Sequence, residues 1–154
     1  MAHAAAAAPF TGTQITELLA AQNKYRAEVD EAPLVWSDKL AVSAQSWAQH
    51  LADDVHAMQH SGAIDLGENV ATWPAGHASL TRLVKLWGDE KKFFIDASFP
   101  DVSRTGEWHA VAHYSQLIWR KTTEVGCGLA TGGGQDYLVC QYNPKGNFMG
   151  EKAF

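Results

Sequence analysis

Apolar residues recur at helical spacing along several stretches of the chain. From Thr11 to Asp30, Ile15, Leu18, Leu19, Tyr25 and Val29 fall on one side with Gln22 among them, predicting a helix that Glu31-Ala32-Pro33 stops. Thr11 and Gln14 hold the positions of a capping box. Within this helix, Asn23-Lys24-Tyr25-Arg26 reads as a solvated surface with Tyr25 turned inward. Ser37 is placed to cap a second helix running to about Met58, with Leu40, Ala44, Trp47, Ala48, Leu51 and Val55 as its inner stripe. Its alanines, Ala41, Ala44 and Ala48, would let a neighbouring element approach closely. A third helix is expected from His77 to Phe94. A short fourth is expected from His109 to Trp119, burying Val111, Tyr114, Leu117 and Ile118.

Toward the C-terminus the pattern changes to strands. Val125-Gly126-Cys127-Gly128-Leu129 and Tyr137-Leu138-Val139-Cys140-Gln141-Tyr142 flank the turn-rich run Thr131 to Asp136, which is a hairpin signal. A tight loop at Gly133-Gly134 sets Cys127 directly opposite Cys140, in a non-hydrogen-bonded pair with alpha carbons about 4.5 Å apart. That is within disulfide reach. The bridge would stabilise by roughly 3 kcal/mol in the chain-entropy picture and favours an exported protein.

Polar residues that interrupt the apolar stripes are the candidates for chemistry. Glu90 follows Leu83 and Trp87 and precedes Phe94 on the inner face of the third helix. A carboxylate there needs an ion partner, hydrogen bonds or a metal, because burying it alone is costly. A core-facing lysine or arginine, or a locally exposed stripe, would serve equally well. His56 and His60 lie four apart, a spacing that binds metal on a helix. His56 also reads as a solvated residue complementing the helix dipole, which leaves His60 as the functional candidate. His109 and His113 repeat the spacing without the intervening glutamate of the metalloprotease pattern. Glu68 follows Gly67, whose freedom lets the backbone turn a side chain inward. Taken alone, Gly67-Glu68-Asn69 would only mark a solvated carboxylate. Phe99 and Trp108, at either end of a loop, either rim a pocket or fill the core.

Composition narrows the classes. A chain of 154 residues, 46% hydrophobic and 19% charged, suits one soluble domain. A net charge of -5 without a basic run speaks against nucleic acid or anionic membrane as main partner. No apolar run approaches the roughly 20 residues of a transmembrane segment. Residues 1–10, Met-Ala-His and an alanine run, lack the charged start and apolar core of an intact signal peptide. They are expected to be a leader remnant or scar, with residues 11–154 forming the single domain. The Gly132-Gly133-Gly134 run lacks a following helix and lysine, so it is a turn and not a phosphate loop. Ser115, two residues from His113, is not signalled as a nucleophile.

An ordered set of short motifs spans nearly the whole domain: Asn23-Lys24-Tyr25-Arg26, His60-Ser61, Gly67-Glu68-Asn69, Trp87-Gly88-Asp89-Glu90, His113-Tyr114-Ser115-Gln116-Leu117-Ile118-Trp119 and Cys140 to Asn147. In this the chain resembles the CAP superfamily of cysteine-rich secretory proteins, antigen 5 and pathogenesis-related 1 proteins. With two cysteines and the run Phe99 to Gly106, it looks like a bacterial-type member. The resemblance implies an α+β fold, a three-layer α-β-α sandwich around an antiparallel sheet. It also implies a cleft where His60, Glu68, Glu90 and His113 meet, with Asn69, Tyr114 and Gln116 in support.

Two imidazoles and two carboxylates suit a divalent metal, zinc first. Two functions follow. One is a secreted or periplasmic binding module for lipid, sterol, or an extracellular protein or peptide. The alternative is a zinc-dependent, peptidase-like hydrolase, with Glu68 or Glu90 as the base acting on a metal-bound water. The resemblance implies no general catalytic activity, so the binding module is preferred.

Overall fold

The computed structural model describes residues 10–154. Helix α1 spans Gly12–Glu28 and β1 spans Val35–Trp36, followed by α2 over Asp38–His50 and β2 over Gly67–Pro74. Helices α3, Leu80–Gly88, and α4, Ala112–Leu117, precede the hairpin of β3, Glu124–Gly132, and β4, Gln135–Asn143. The sheet order is β1-β3-β4-β2. The three long strands are antiparallel, as expected. The two-residue β1 runs parallel to β3, so the sheet as a whole is mixed.

Two apolar clusters, one on each face of the sheet, make the three layers. Ala44, Ala48, Leu51 and Ala52 of α2 and its extension pack on Val70, Tyr137 and Val139. Leu18 of α1, Leu83 and Trp87 of α3, and Tyr114 and Leu117 of α4 pack on Ala71, Cys127, Leu138, Cys140 and Tyr142. The alanine stripe of α2 meets glycines on β3. A Cβ on Gly126 would lie 2.2 Å from the Ala41 nitrogen, and one on Gly128 would lie 2.3 Å from the Gln45 Cα. The helix therefore rests almost backbone to backbone on the hairpin.

Local chemistry sets the helix ends. The Thr11 hydroxyl accepts from the Gln14 N–H at 3.2 Å, and the Gln14 side chain accepts from the Thr11 N–H at 2.9 Å. The Ser37 hydroxyl accepts from the Leu40 N–H at 3.2 Å. The second helix stops short of Met58. It widens into a π turn over Leu51–Val55 and ends at His56, whose φ of 55° is left-handed. The third begins at Leu80, after a Ser79 cap, and tightens into a 3-10 turn over Asp89–Phe93. The fourth is split into a 3-10 turn, Trp108–Ala110, and α4.

The hairpin register is the expected one: Gly132 faces Gln135 and Cys127 faces Cys140. The two cysteines form a disulfide, with alpha carbons 4.1 Å apart. Of the expected leader, residues 1–9 lie outside the described residues. Phe10 is buried and sits edge-on to Trp36, so it packs with the domain. Among the described residues, no helix is long and apolar enough to cross a membrane.

Candidate functional site

Glu68 is the second residue of β2, directly opposite Gln141 on β4. Its Oε1 accepts from the Ser61 N–H at 2.8 Å and meets His60 Nδ1 at 3.0 Å. Its Oε2 accepts from the Ser61 hydroxyl at 2.7 Å and from Gln141 Nε2 at 2.9 Å. The Glu68 side chain is 6% exposed, whereas that of His60 is 66% exposed. Burial pushes the Glu68 carboxyl up, but the donors from His60, Ser61 and Gln141 together outweigh it and hold the group below its ordinary value. The hydrogen bond to Glu68 holds the His60 imidazole above its ordinary value, against the opposing pull of burial.

Glu90 forms the second pair. The 3-10 turn after α3 carries it toward α4, where its Oε2 meets His113 Nδ1 at 2.7 Å and its Oε1 accepts from the Tyr114 N–H at 3.0 Å. An imidazole and a backbone amide thus satisfy the carboxylate expected on the apolar face, and among the described residues no lysine or arginine pairs with it. The His113 ring stacks on Trp87, with centroids 6.2 Å apart and planes at 21°. Trp87 Nε1 donates to the Val70 carbonyl at 3.2 Å. Asn69 Nδ2 donates to the His113 carbonyl at 3.1 Å and to Tyr142 Oη at 3.4 Å.

Three consecutive residues of the edge strand β2 therefore hold both pairs. Glu68 carries one directly, Asn69 holds the backbone of His113, and Val70 fixes the indole on which His113 lies. Side chains alternate along a strand, so Glu68 and Asn69 leave β2 on opposite faces. Glu68 turns to the side of Gln141 and α2, and Asn69 to the side of Tyr142, α1 and α4. The structure joins His60 to Glu68 and Glu90 to His113. Among the described residues, no group of three or more His, Cys, Asp or Glu is disposed to hold one metal ion. A cavity of about 220 Å³ is lined by His60, Ser61, Leu66 and Glu68, with Gly62 and Ala63.

In both pairs the ring nitrogen facing the carboxylate is Nδ1. An ionised carboxylate only accepts, so in the neutral imidazole the proton sits on Nδ1 and the lone pair on Nε2. Carboxylates orient metal-binding histidines in this way.

The other expected residues separate. Tyr114 supports Glu90 through its backbone N–H, while its ring packs edge-on to Tyr25 and Phe94. Gln116 stands away from both pairs: Nε2 donates to the Thr122 hydroxyl at 3.1 Å and Oε1 accepts from the Gly146 N–H at 2.9 Å. It supports the start of β2 by contact, since a Cβ on Gly67 would lie 2.0 Å from its Oε1. His109 stacks on Trp108 at 3.6 Å between centroids, and His56 ends its helix, so neither i, i+4 histidine pair shares a helical face. Phe99 is buried against Trp108 and fills the core. Gln141 was not foreseen as a support, because only the pairing of β2 with β4 puts it across from Glu68.

Residues 19–142 match the family model described as CAP, the cysteine-rich secretory protein family. Pathogenesis-related protein 1A of Nicotiana tabacum is 32% identical over 139 residues, covering 90% of this chain and 79% of that protein. Venom allergen 5 2 of Polybia paulista is 35% identical over 135 residues, covering 83% of this chain and 64% of the allergen. The solved structure of BmVAL-1 superposes with a TM-score of 0.80 at 26% identity, covering 99% of this chain and 86% of that one.

Proposed function

The chain belongs to the CAP family of cysteine-rich secretory proteins, and from that premise we propose that it is an extracellular binding module whose two histidine–glutamate pairs serve a divalent metal, zinc first. The observation that carries this reading is the pairing of each Nδ1 with a carboxylate, at 3.0 Å for His60 and 2.7 Å for His113. It leaves two oriented imidazole Nε2 atoms as donors. His60 and His113 are the proposed ligands, and Glu68 and Glu90 hold them. A bound ion would supply concentrated positive charge. With two nitrogen donors and, among the described residues, no third ligand gathered beside them, affinity should be weak and should rise with pH as protons leave the imidazoles.

The same hydrogen bonds count against Glu68 as a base. A hydrolase would need a glutamate with an open lone pair to take a proton. Four donors fill the two oxygens of Glu68, while Glu90, held by His113 and Tyr114, accepts two. The proposed ligand is a lipid, a sterol, or an extracellular protein or peptide. Phe93 and Ile95, exposed just beyond Glu90, offer apolar contact on that side. The disulfide fits an oxidising location, secreted or periplasmic.

Calorimetric titration with zinc tests the metal reading. The unaltered protein should take up zinc, and His60→Ala and His113→Ala should each weaken uptake about tenfold or more. Equal uptake by His113→Ala would show that the ion sits elsewhere.

A further inference from the structure

We propose that the trough between α2 and the segment of residues 61–63 binds a neutral, hydroxyl-rich ligand, a saccharide chain. This goes beyond the metal reading, and the trough adjoins the His60–Glu68 cavity through Ser61, Gly62 and Ala63. The trough has a volume of about 470 Å³, and its lining includes Val42, Ser43, Ser46, Trp47, Ser61 and Gln141. Among the described residues, no ionisable side chain lines it. A charged ligand would therefore lose its water there without gaining an ion partner.

What the trough does offer is hydroxyls. Ser43 and Ser46 are exposed on α2 and three residues apart, so they share a face. Each serine hydroxyl both donates and accepts, the same dual capacity that sugar hydroxyls carry. Trp47 supplies the apolar surface. Its indole N–H already donates to the Gln59 carbonyl at 2.8 Å, so the ring is pinned and contributes contact area. Gln141 also lines the trough. Its Nε2 is fixed on the acceptor-only Glu68 carboxylate, which settles the orientation of the amide. Its Oε1 is then a buried acceptor with no donor among the described residues.

Two other occupants suit the trough less well. An acyl chain would cover the serine hydroxyls without bonding them. A peptide adding itself as a strand needs an unpaired sheet edge, and these walls are a helix and a loop.

The test uses the full chain, with and without a zinc chelator. Backbone amide NMR follows titration with cellotetraose and with tetra-N-acetylchitotetraose, then with a tetragalacturonate, a neutral Gly/Ser decapeptide and decanoate. At least one neutral saccharide should give saturable shifts confined to Val42–Trp47 and Ser61–Ala63, unchanged by the chelator. Ser46→Arg, at an exposed position, should weaken that binding about tenfold or more at an unchanged melting temperature. Gln49→Ala, also exposed, should bind as the unaltered protein does. The proposal is overturned if no neutral saccharide saturates, if only the decapeptide, the decanoate or the anionic sugar does, or if Ser46→Arg binds equally well. Because the chelator arm removes any metal, failure here and failure of the zinc titration are separate results.

Discussion

A carboxylate is as acidic as its donors make it, and Glu68 shows the balance. Burial alone would favour its neutral form, yet four donors reach its two oxygens and the ionised form wins. His60, its partner, moves the opposite way, above its ordinary 6.5. The raised imidazole adds stability that is full below its unfolded pKa and is lost as pH rises through its folded value. The lowered carboxyl adds stability that is full above its unfolded pKa and is lost as pH falls through its folded value. In metal-free protein the pair should therefore help most between the ordinary values of the two groups, 4.5 and 6.5, and fade outside them. Denaturant unfolding of the unaltered protein and of Glu68→Gln should differ most inside that window. NMR titration should place His60 above 6.5 in the unaltered protein and nearer 6.5 in Glu68→Gln. A His60 midpoint indifferent to Glu68→Gln would break the assigned pair. Glu68 and His60 were both legible in the sequence by their motifs. Gln141 was not, because it lies 73 positions from Glu68.

Arg26 ties helix α1 to the end of α4, the helix that carries His113. Arg26 is 1% exposed on α1. Its Nη1 donates to the Leu117 and Trp119 carbonyls at 3.0 and 2.9 Å, and its Nη2 to the Thr122 carbonyl at 3.2 Å. Its Nε donates to the Ala32 carbonyl at 2.6 Å. These include carbonyls at the C-terminal end of α4, which the helix itself leaves unpaired. Burial pushes the guanidinium pKa down and Glu31 opposes it. Replacing Arg26 with Met should cost on the order of 3 kcal/mol or more in urea unfolding, because several buried carbonyls lose their donor. A loss below about 1 kcal/mol would mean that water replaces the guanidinium at little cost. The sequence pattern reads Asn23 to Arg26 as a helix surface with Tyr25 turned in. Tyr25 is buried as expected, and Arg26 is buried as well. Apolar periodicity carries no signal for a cation whose partners are carbonyls roughly 90 positions away.

For the whole molecule, the disulfide is the covalent tie across the central hairpin. Cys127 and Cys140 are 13 positions apart, so in the chain-entropy picture the bridge removes roughly 3 kcal/mol worth of freedom from the unfolded chain. The double replacement Cys127→Ala, Cys140→Ala should lower stability by about that amount in urea unfolding. Thiol titration of the unaltered protein, denatured without reductant, should find no free thiol. Two free thiols would remove the bridge and its share of stability. This pairing was readable beforehand because a tight turn at Gly133-Gly134 fixes the register of everything beside it.

By itself, the sequence determined the α+β class, the capping box of α1, the hairpin register with its disulfide, and the family to which the chain belongs. These rest on contacts close along the chain, or on motifs whose order along the chain is itself the signal. Only the tertiary structure decided that the four histidine and glutamate side chains divide into two carboxylate–imidazole pairs. It also decided that both pairs hang on Glu68, Asn69 and Val70 of one edge strand, and that Gln116 braces the strand from beneath. The reason is the two-residue alternation of a β-strand: it sends neighbours to opposite faces, and which partners wait there depends on segments that meet only when the layers close.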